Sequence, residues 1–276
     1  MQWYRKVSGV HRAHLDSVSG NKSNAWLLAV PQHADLKLSD AHFCLAARTR
    51  LFLQPDDHMP ARCLCGSDLV LDPLHYLSCS QLKGRSITRR HDLICQVLKR
   101  FSKEVGIDCD IEPRFDAVER KHPDLLFNFT THTVYSDVSI TTASAPSIAR
   151  RVTIPLTSLS SPSPQPPQPA SAASIRERQK SDKFGAFAAK AQARFRPFVL
   201  ESAGLFGKEA SALCSDILAD AASCRDDVYN RLNFFRSFLT MRVAISLQKG
   251  NALVLAQGLR ASRVEASNAW RPRRIR

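Results

Sequence analysis

Four side chains stand at a spacing that suits a tetrahedral metal ion: Cys63-x-Cys65, nine residues, then His75-x3-Cys79. Two donors close together, a loop and two more donors let one chain wrap an ion. Thiolates and an imidazole suit zinc, and four protein donors leave no position open for substrate. Gly66 lets the backbone turn directly after the first pair. His58 lies outside the pairing and reads as a surface residue. Chance clustering of buried cysteines is the competing explanation. The fit of all four donors to a closed site favours structural zinc.

A second set of residues is acidic. Pro123-Asp124 is followed, after twelve residues, by Asp137. If the two acids stand on adjacent strands, they can share a hard divalent cation, magnesium or manganese. Such an ion polarises a phosphoryl oxygen and makes hydroxide available near neutral pH. Glu112 upstream is a candidate third carboxylate. Taken alone this set carries little weight, because a Pro-Asp at a strand start and an Asp facing solvent are common.

The elements that must position these groups follow from periodicity. Ser39-Asp40 opens a helix, with Phe43, Ala46, Ala47, Arg50 and Leu51 at three- and four-residue spacing. A second helix is expected over 89–105, with Leu93, Ile94, Val97, Leu98 and Phe101 on one face and Gly106 past its end. Strands are expected over 107–115, 124–129 and 134–141, the last two joined as a hairpin through 130–133. Residues 158–174 hold five prolines among Ser, Gln and Ala, a flexible or polyproline-type insert. A long basic helix over 175–194 is followed by a strand at 194–202, irregular at Pro197, and by helices over 207–224 and 227–247. That order implies the α/β class, in the form of an α+β mixed sheet flanked by helices. Residues 1–23 suggest no firm element.

Composition and charge narrow the function. With 39 Lys+Arg against 25 Asp+Glu, the chain carries +14. Its 44% hydrophobic and 23% charged content is that of a globular chain, which excludes wholesale disorder. No apolar run approaches the roughly 18–20 residues of a membrane span. The first residues lack an apolar signal core. An intracellular protein, nuclear or cytoplasmic, is expected, with no membrane partner. The last 52 residues hold 11 Lys/Arg against 3 Asp/Glu, so +8 of the charge lies there. An excess of this kind points to a nucleic-acid partner. The five cysteines outside the cluster (Cys44, Cys95, Cys109, Cys214 and Cys224) read as small buried hydrophobes.

A helix, an acid, Pro-Asp and an acid on the next strand resemble the PD-(D/E)XK nuclease superfamily. Its last motif is an acid, any residue, then lysine. This chain has Asp137-Val138-Ser139 there, so the lysine is missing from its usual place. Some branches take it from the following helix, where Lys180 and Lys183 stand. The resemblance gives the lysine the task of orienting the attacking water and stabilising developing negative charge.

The order of motifs is more specific still. The Cys63–Cys79 cluster precedes Arg89-Arg90-His91-Asp92, Glu112-Pro113, His122-Pro123-Asp124 and Asp137-Val138-Ser139. Asn24-Ala25-Trp26-Leu27 and Leu38-Ser39-Asp40-Ala41 precede it, and Gly250-Asn251-Ala252 extends it. This order resembles the C-terminal part of reverse transcriptases of non-LTR retrotransposons that carry a restriction-like endonuclease. The resemblance implies a zinc module followed by a PD-(D/E)XK core. It also implies nicking of one DNA strand to expose a 3′ hydroxyl, from which the element's RNA is copied. Asp124 and Asp137 match the metal-binding acids, with Glu112 a weaker match and Lys180 or Lys183 the displaced lysine. Arg89, Arg90 and His91 are candidate nucleic-acid contacts. DNA, element RNA and a separate reverse transcriptase part are the implied partners.

The division that follows is a polar N-terminal region and helix at 1–55, linking from a polymerase part, and a zinc module at 56–86. A nuclease core at 87–205, with an insert at 155–174, and a basic helical tail at 206–276 complete it. No polymerase signature precedes the cysteines, so the sequence reads as a fragment, a degenerate copy or a free-standing derivative. A nucleic-acid-binding zinc protein without catalysis is the alternative function. A protein-partner surface on the C-terminal helices is a third.

Overall fold

The computed structural model describes residues 9–82, 84–113, 122–145 and 171–269, with side chains to 264. Its helices are α1 (Gly9–Val18), α2 (Asp40–Arg50), α3 (Arg85–Glu104), α4 (Ala172–Lys190), α5 (Lys208–Cys224), α6 (Asp226–Asn230) and α7 (Leu232–Ala269). Its strands are β1 (Asp108–Ile111), β2 (Leu125–Asn128), β3 (Thr133–Ser136), β4 (Val138–Thr141), β5 (Arg194–Phe195) and β6 (Phe198–Glu201). The protein is a mixed α/β structure built on a mixed sheet.

One ladder has the order β1-β2-β3-β5, antiparallel through β1, β2 and β3 and parallel between β3 and β5. A second ladder pairs β4 with β6 in parallel. The single strand expected over 134–141 is thus two, parted at Asp137, and that expected over 194–202 is also two, parted at Arg196-Pro197. The breaks face each other. The Arg196 N–H donates to the Tyr135 carbonyl at 2.9 Å, and the Phe198 N–H to the Asp137 carbonyl at 3.0 Å. Pro197 has no N–H to give between them, which explains why the ladder divides there. Helix α4 makes the crossover that parallel pairing requires.

Helix α3 buries Ile94, Val97, Leu98 and Phe101 against the sheet core, as its 3.6-residue period requires. It begins at Arg85, four residues before the expected start, and stops where Gly106 takes a φ of +89°. The Ser39 hydroxyl accepts the His42 N–H and starts α2. Helix α4 begins at Ala172, inside the stretch expected to be insert, with Ser171 as its cap and Ala172 and Ala173 buried. The rest of the insert, 155–170, lies outside the described residues. Helix α1, for which the sequence suggested no element, buries His14, whose Nε2 lies 3.1 Å from the Arg50 carbonyl oxygen.

Helix α7 differs most from expectation. At 38 residues it is one helix, and it runs through the interior instead of trailing from it. Leu239, Val243 and Leu247 join the main core; Ala244 and Ile245 pack with Trp26 and Ala46; Val254, Leu255 and Leu259 pack with the Cys/His module. Of the five scattered cysteines, Cys95, Cys109 and Cys214 are buried as expected. Cys44 and Cys224 are exposed, because α2 turns only Ala46 and Thr49 fully inward and Cys224 ends α5. Among the described residues no helix is long and apolar enough to cross a membrane.

Candidate functional site

The donor atoms of Cys63, Cys65, His75 and Cys79 all lie within 4.8 Å of one another. Bonds of about 2.0–2.3 Å to a tetrahedral zinc put donors about 3.3–3.8 Å apart. Cys63 Sγ lies 3.5 Å from Cys79 Sγ, and Cys65 Sγ lies 3.0 Å from His75 Nε2. The first distance matches that range and the second is slightly short of it, so with small side-chain shifts the four donors could hold a structural zinc ion. A short turn holds the first pair: Gly66, at φ +84°, donates to the Cys63 carbonyl, and the Cys63 N–H donates to Ser67. A single 3₁₀ turn, His75–Leu77, presents His75. Burial pushes the Cys63 thiol up to about 12. Burial opposes ionisation of Cys65 too, but its bonds with Ser67 and His75 prevail and hold its thiol down at about 6. A coordinated cation deprotonates thiols outright, so metal and site stabilise each other.

The module is fastened to α7. Tyr76 is fully buried, and its hydroxyl donates to Ser262 Oγ at 3.0 Å. Its ring lies against Gly258, where a β-carbon would come within 2.4 Å. Exposed His58 lies apart from the four donors, as expected.

The two aspartates meet at the sheet break. Asp124 immediately precedes β2, and Asp137 sits between β3 and β4. Asp124 Oδ2 accepts the Val138 N–H at 2.7 Å, so its carboxylate is bonded to the residue after Asp137. The same oxygen lies 2.9 Å from His91 Nε2 on α3. Asp137 is buried, and Lys180 Nζ on α4 lies 2.5 Å from its Oδ2. These side chains line a cleft of about 290 Å³ together with Arg176 and Ser139.

Electrostatics follows the geometry. Burial raises the Asp137 carboxyl and neighbouring Asp124 raises it further; the Lys180 ion pair only partly offsets both. Burial would lower the His91 imidazole, but its bond to Asp124 overrides this and pushes it up to about 11.

The expected site residues separate into those the cleft gathers and those it does not. Asp124, Asp137, Lys180 and His91 are gathered. Lys183 is exposed, its ammonium 4.3 Å from the Phe184 ring centroid, yet near enough to act on Asp137. Glu112 is exposed and takes an unusual φ of +47°; only its backbone N–H reaches the site, donating to the Asp124 carbonyl. Among the described residues it forms no three-carboxylate group with the aspartates.

Arg90, expected at a phosphate, is buried. Its guanidinium donates to Asn251 Oδ1 at 3.2 Å and to the Leu77 carbonyl at 3.4 Å, and its stem crosses α7 at Gly250. Gly250-Asn251 is thus the crossing point of α3 and α7, where Asn251 also donates to the Ser202 carbonyl. Arg89 is exposed. Several cations of the basic C-terminal segment have structural work as well. Arg242 is 1% exposed and paired with Asp35 and Glu104; Arg225 pairs with Asp227, and Arg263 with Asp56. The four arginines after 269 lie outside the described residues.

Sequence reasoning missed Arg176, Ser139 as its partner, and two buried glutamates that hold α4. Glu201 accepts the Ala173 N–H at 2.9 Å and so caps the helix start. Glu177 accepts the Glu209 N–H at 2.8 Å, tying α4 to the start of α5. No spacing in the sequence marks these contacts.

Fold and sites together define a mixed α/β protein with a Cys₃His cluster able to bind zinc and a cleft where two aspartates meet basic side chains. No family model matches the chain. The retrotransposable element SLACS 132 kDa protein of Trypanosoma brucei gambiense is 29% identical over 177 residues, which is 63% of this chain. The matched stretch is 14% of that protein's length. The similarity supports a retrotransposon origin.

Proposed function

We propose that the chain is the metal-dependent endonuclease region of a non-LTR retrotransposon protein, with a PD-(D/E)XK-type core over 87–205 behind the zinc module. It nicks DNA so that a 3′ hydroxyl primes reverse transcription by a polymerase part, with element RNA as template, in the nucleus. The observation that carries this reading is the meeting of Asp124 and Asp137, from neighbouring strands, in one cleft with a helix-borne lysine.

Asp124 and Asp137 would hold magnesium or manganese, which supplies Lewis acidity and a more acidic bound water. A water oxygen bonds to phosphorus while the P–O3′ bond breaks; the water releases a proton and the departing 3′ oxygen takes one up. Lys180 balances charge beside Asp137 and orients the water. His91 fixes the Asp124 carboxylate. Glu112, with its exposed side chain, has a secondary part, and Lys183 contributes charge. Arg89 is a phosphate contact at the rim. The zinc module, latched to α7, holds the α3 start against the cleft.

A second reading is favoured by two observations: both carboxylates already have cationic partners, and Ser139 replaces the expected lysine. On that reading the chain binds nucleic acid through its basic surface and cuts nothing. The deciding experiment uses supercoiled plasmid with the purified chain and magnesium. Nicked product that an added polymerase extends, and that Asp137→Asn does not form, supports the nuclease. Salt-sensitive binding with no nicking in magnesium or manganese supports the second reading.

A further inference from the structure

Helix α4 brings a second cation into the cleft of Asp124 and Asp137, one turn before Lys180. Arg176 Nε donates to Ser139 Oγ at 2.9 Å, and its Nη1 donates to Gln179 Oε1 at 3.1 Å. A guanidinium has five donors, so three remain without a partner among the described residues. Val138 is buried in the core, and strand alternation turns its neighbours Asp137 and Ser139 to the other face, toward α4. Arg176 and Lys180 stand four residues apart on one face of that helix. Both therefore reach the row that Asp137 and Ser139 form.

Among the described residues, the other cations of the cleft are paired or buried. Lys180 is paired with Asp137, His91 with Asp124, and Arg90 is buried on Asn251 and Leu77. Arg90 also has an unpartnered Nε, but it is buried; among the described residues of the cleft, Arg176 is the partly exposed guanidinium with donors to spare. A planar fork of this kind matches two oxygens of a phosphate at once, which an ammonium does not.

We propose that Arg176 is the residue that grips a non-bridging oxygen pair of the DNA phosphate in this cleft, with Ser139 holding its guanidinium in place. The proposal rests on the nuclease reading for its substrate. It divides the labour on α4: Lys180 serves the acid, Arg176 the phosphate.

The test compares wild type with Arg176→Gln, Arg176→Lys and the double variant Arg176→Gln/Ser139→Lys, which delivers an ammonium from the strand to the same place. Nicking of supercoiled plasmid with magnesium is read at saturating DNA, beside melting temperature and the salt dependence of binding. Arg176→Gln is expected to slow nicking about 100-fold with melting unchanged. The double variant is expected to regain at least about tenfold, as a relocated cation should. Wild-type nicking by Arg176→Gln overturns the proposal. Equal losses in Arg176→Gln, Arg176→Lys and the double variant, tracking a fall in melting temperature, overturn it too, because they mark a structural residue. If wild type binds DNA but never nicks, the nuclease reading fails on its own. The phosphate contact is then judged by binding: Arg176→Gln should lower the log–log salt slope by about one. An unchanged slope overturns it.

Discussion

The Asp124 carboxylate accepts the backbone N–H of Val138, the residue directly after Asp137. That bond fixes the two acids relative to each other through the backbone, at the break between β3 and β4. It gives the break a purpose: released from the β3–β5 ladder, residue 137 can turn its carboxylate to the same cleft as Asp124.

His91 stabilises this arrangement in a pH-dependent way. Its folded-state pKa, about 11, lies above the ordinary 6.5. A raised histidine contributes stability that is full below the unfolded value and is lost as pH climbs through the folded one. The stability difference between wild type and His91→Gln, from urea melts, should therefore be constant below about pH 6 and shrink steadily from there toward pH 11. A difference that grows with pH would contradict the His91–Asp124 pair.

Zinc should be structural. Elemental analysis should find about one zinc per chain, and Cys79→Ser should abolish it. Because binding free energy of a structural ion is folding free energy, melting should fall by more than about 10 °C. Hydrogen exchange should rise around Ser262 as well, since Tyr76 carries the module's contact to α7.

Two glycines in helices should respond oppositely to alanine. Alanine normally stabilises a helix interior by roughly 0.5–1 kcal/mol. Gly185→Ala, in open space on α4, should show that gain. Gly258→Ala places a β-carbon 2.4 Å from the Tyr76 ring and should cost about 1–3 kcal/mol instead. Equal effects in thermal melts would contradict the close approach.

The buried cations should matter to stability and not to nucleic acid. Arg242→Met leaves Asp35 and Glu104, both partly exposed and able to rehydrate, and should cost about 1–3 kcal/mol. Arg242→Met and Arg90→Gln should leave the salt slope of DNA binding unchanged in fluorescence titrations, while Arg89→Gln lowers it by about one.

These contrasts show what the sequence could carry. Short-range patterns were legible: the four metal donors, the Ser39 cap, the face of α3 with Gly106 behind it, and the acids at a hairpin. A count of charges could not say which arginines turn inward. Arg90 and Arg242 are consumed by partners 161 and 138 residues away, Asn251 and Glu104. Nor could the breaks at Asp137 and Pro197 be seen from either strand alone, because each is explained by the other. The path of α7 through the interior was hidden for a related reason: its apolar positions serve three different cores, so no single amphipathic face repeats along it.

As proposed, Asp124 and Asp137 form a divalent-ion site that cuts DNA. The most direct measurement is single-turnover nicking of supercoiled plasmid with magnesium, comparing wild type, Asp124→Asn and Asp137→Asn at matched folding and matched DNA binding. The wild-type rate should vanish on chelation and fall at least about 100-fold in each variant. Equal nicking by wild type and either variant, with bound DNA confirmed, would contradict it.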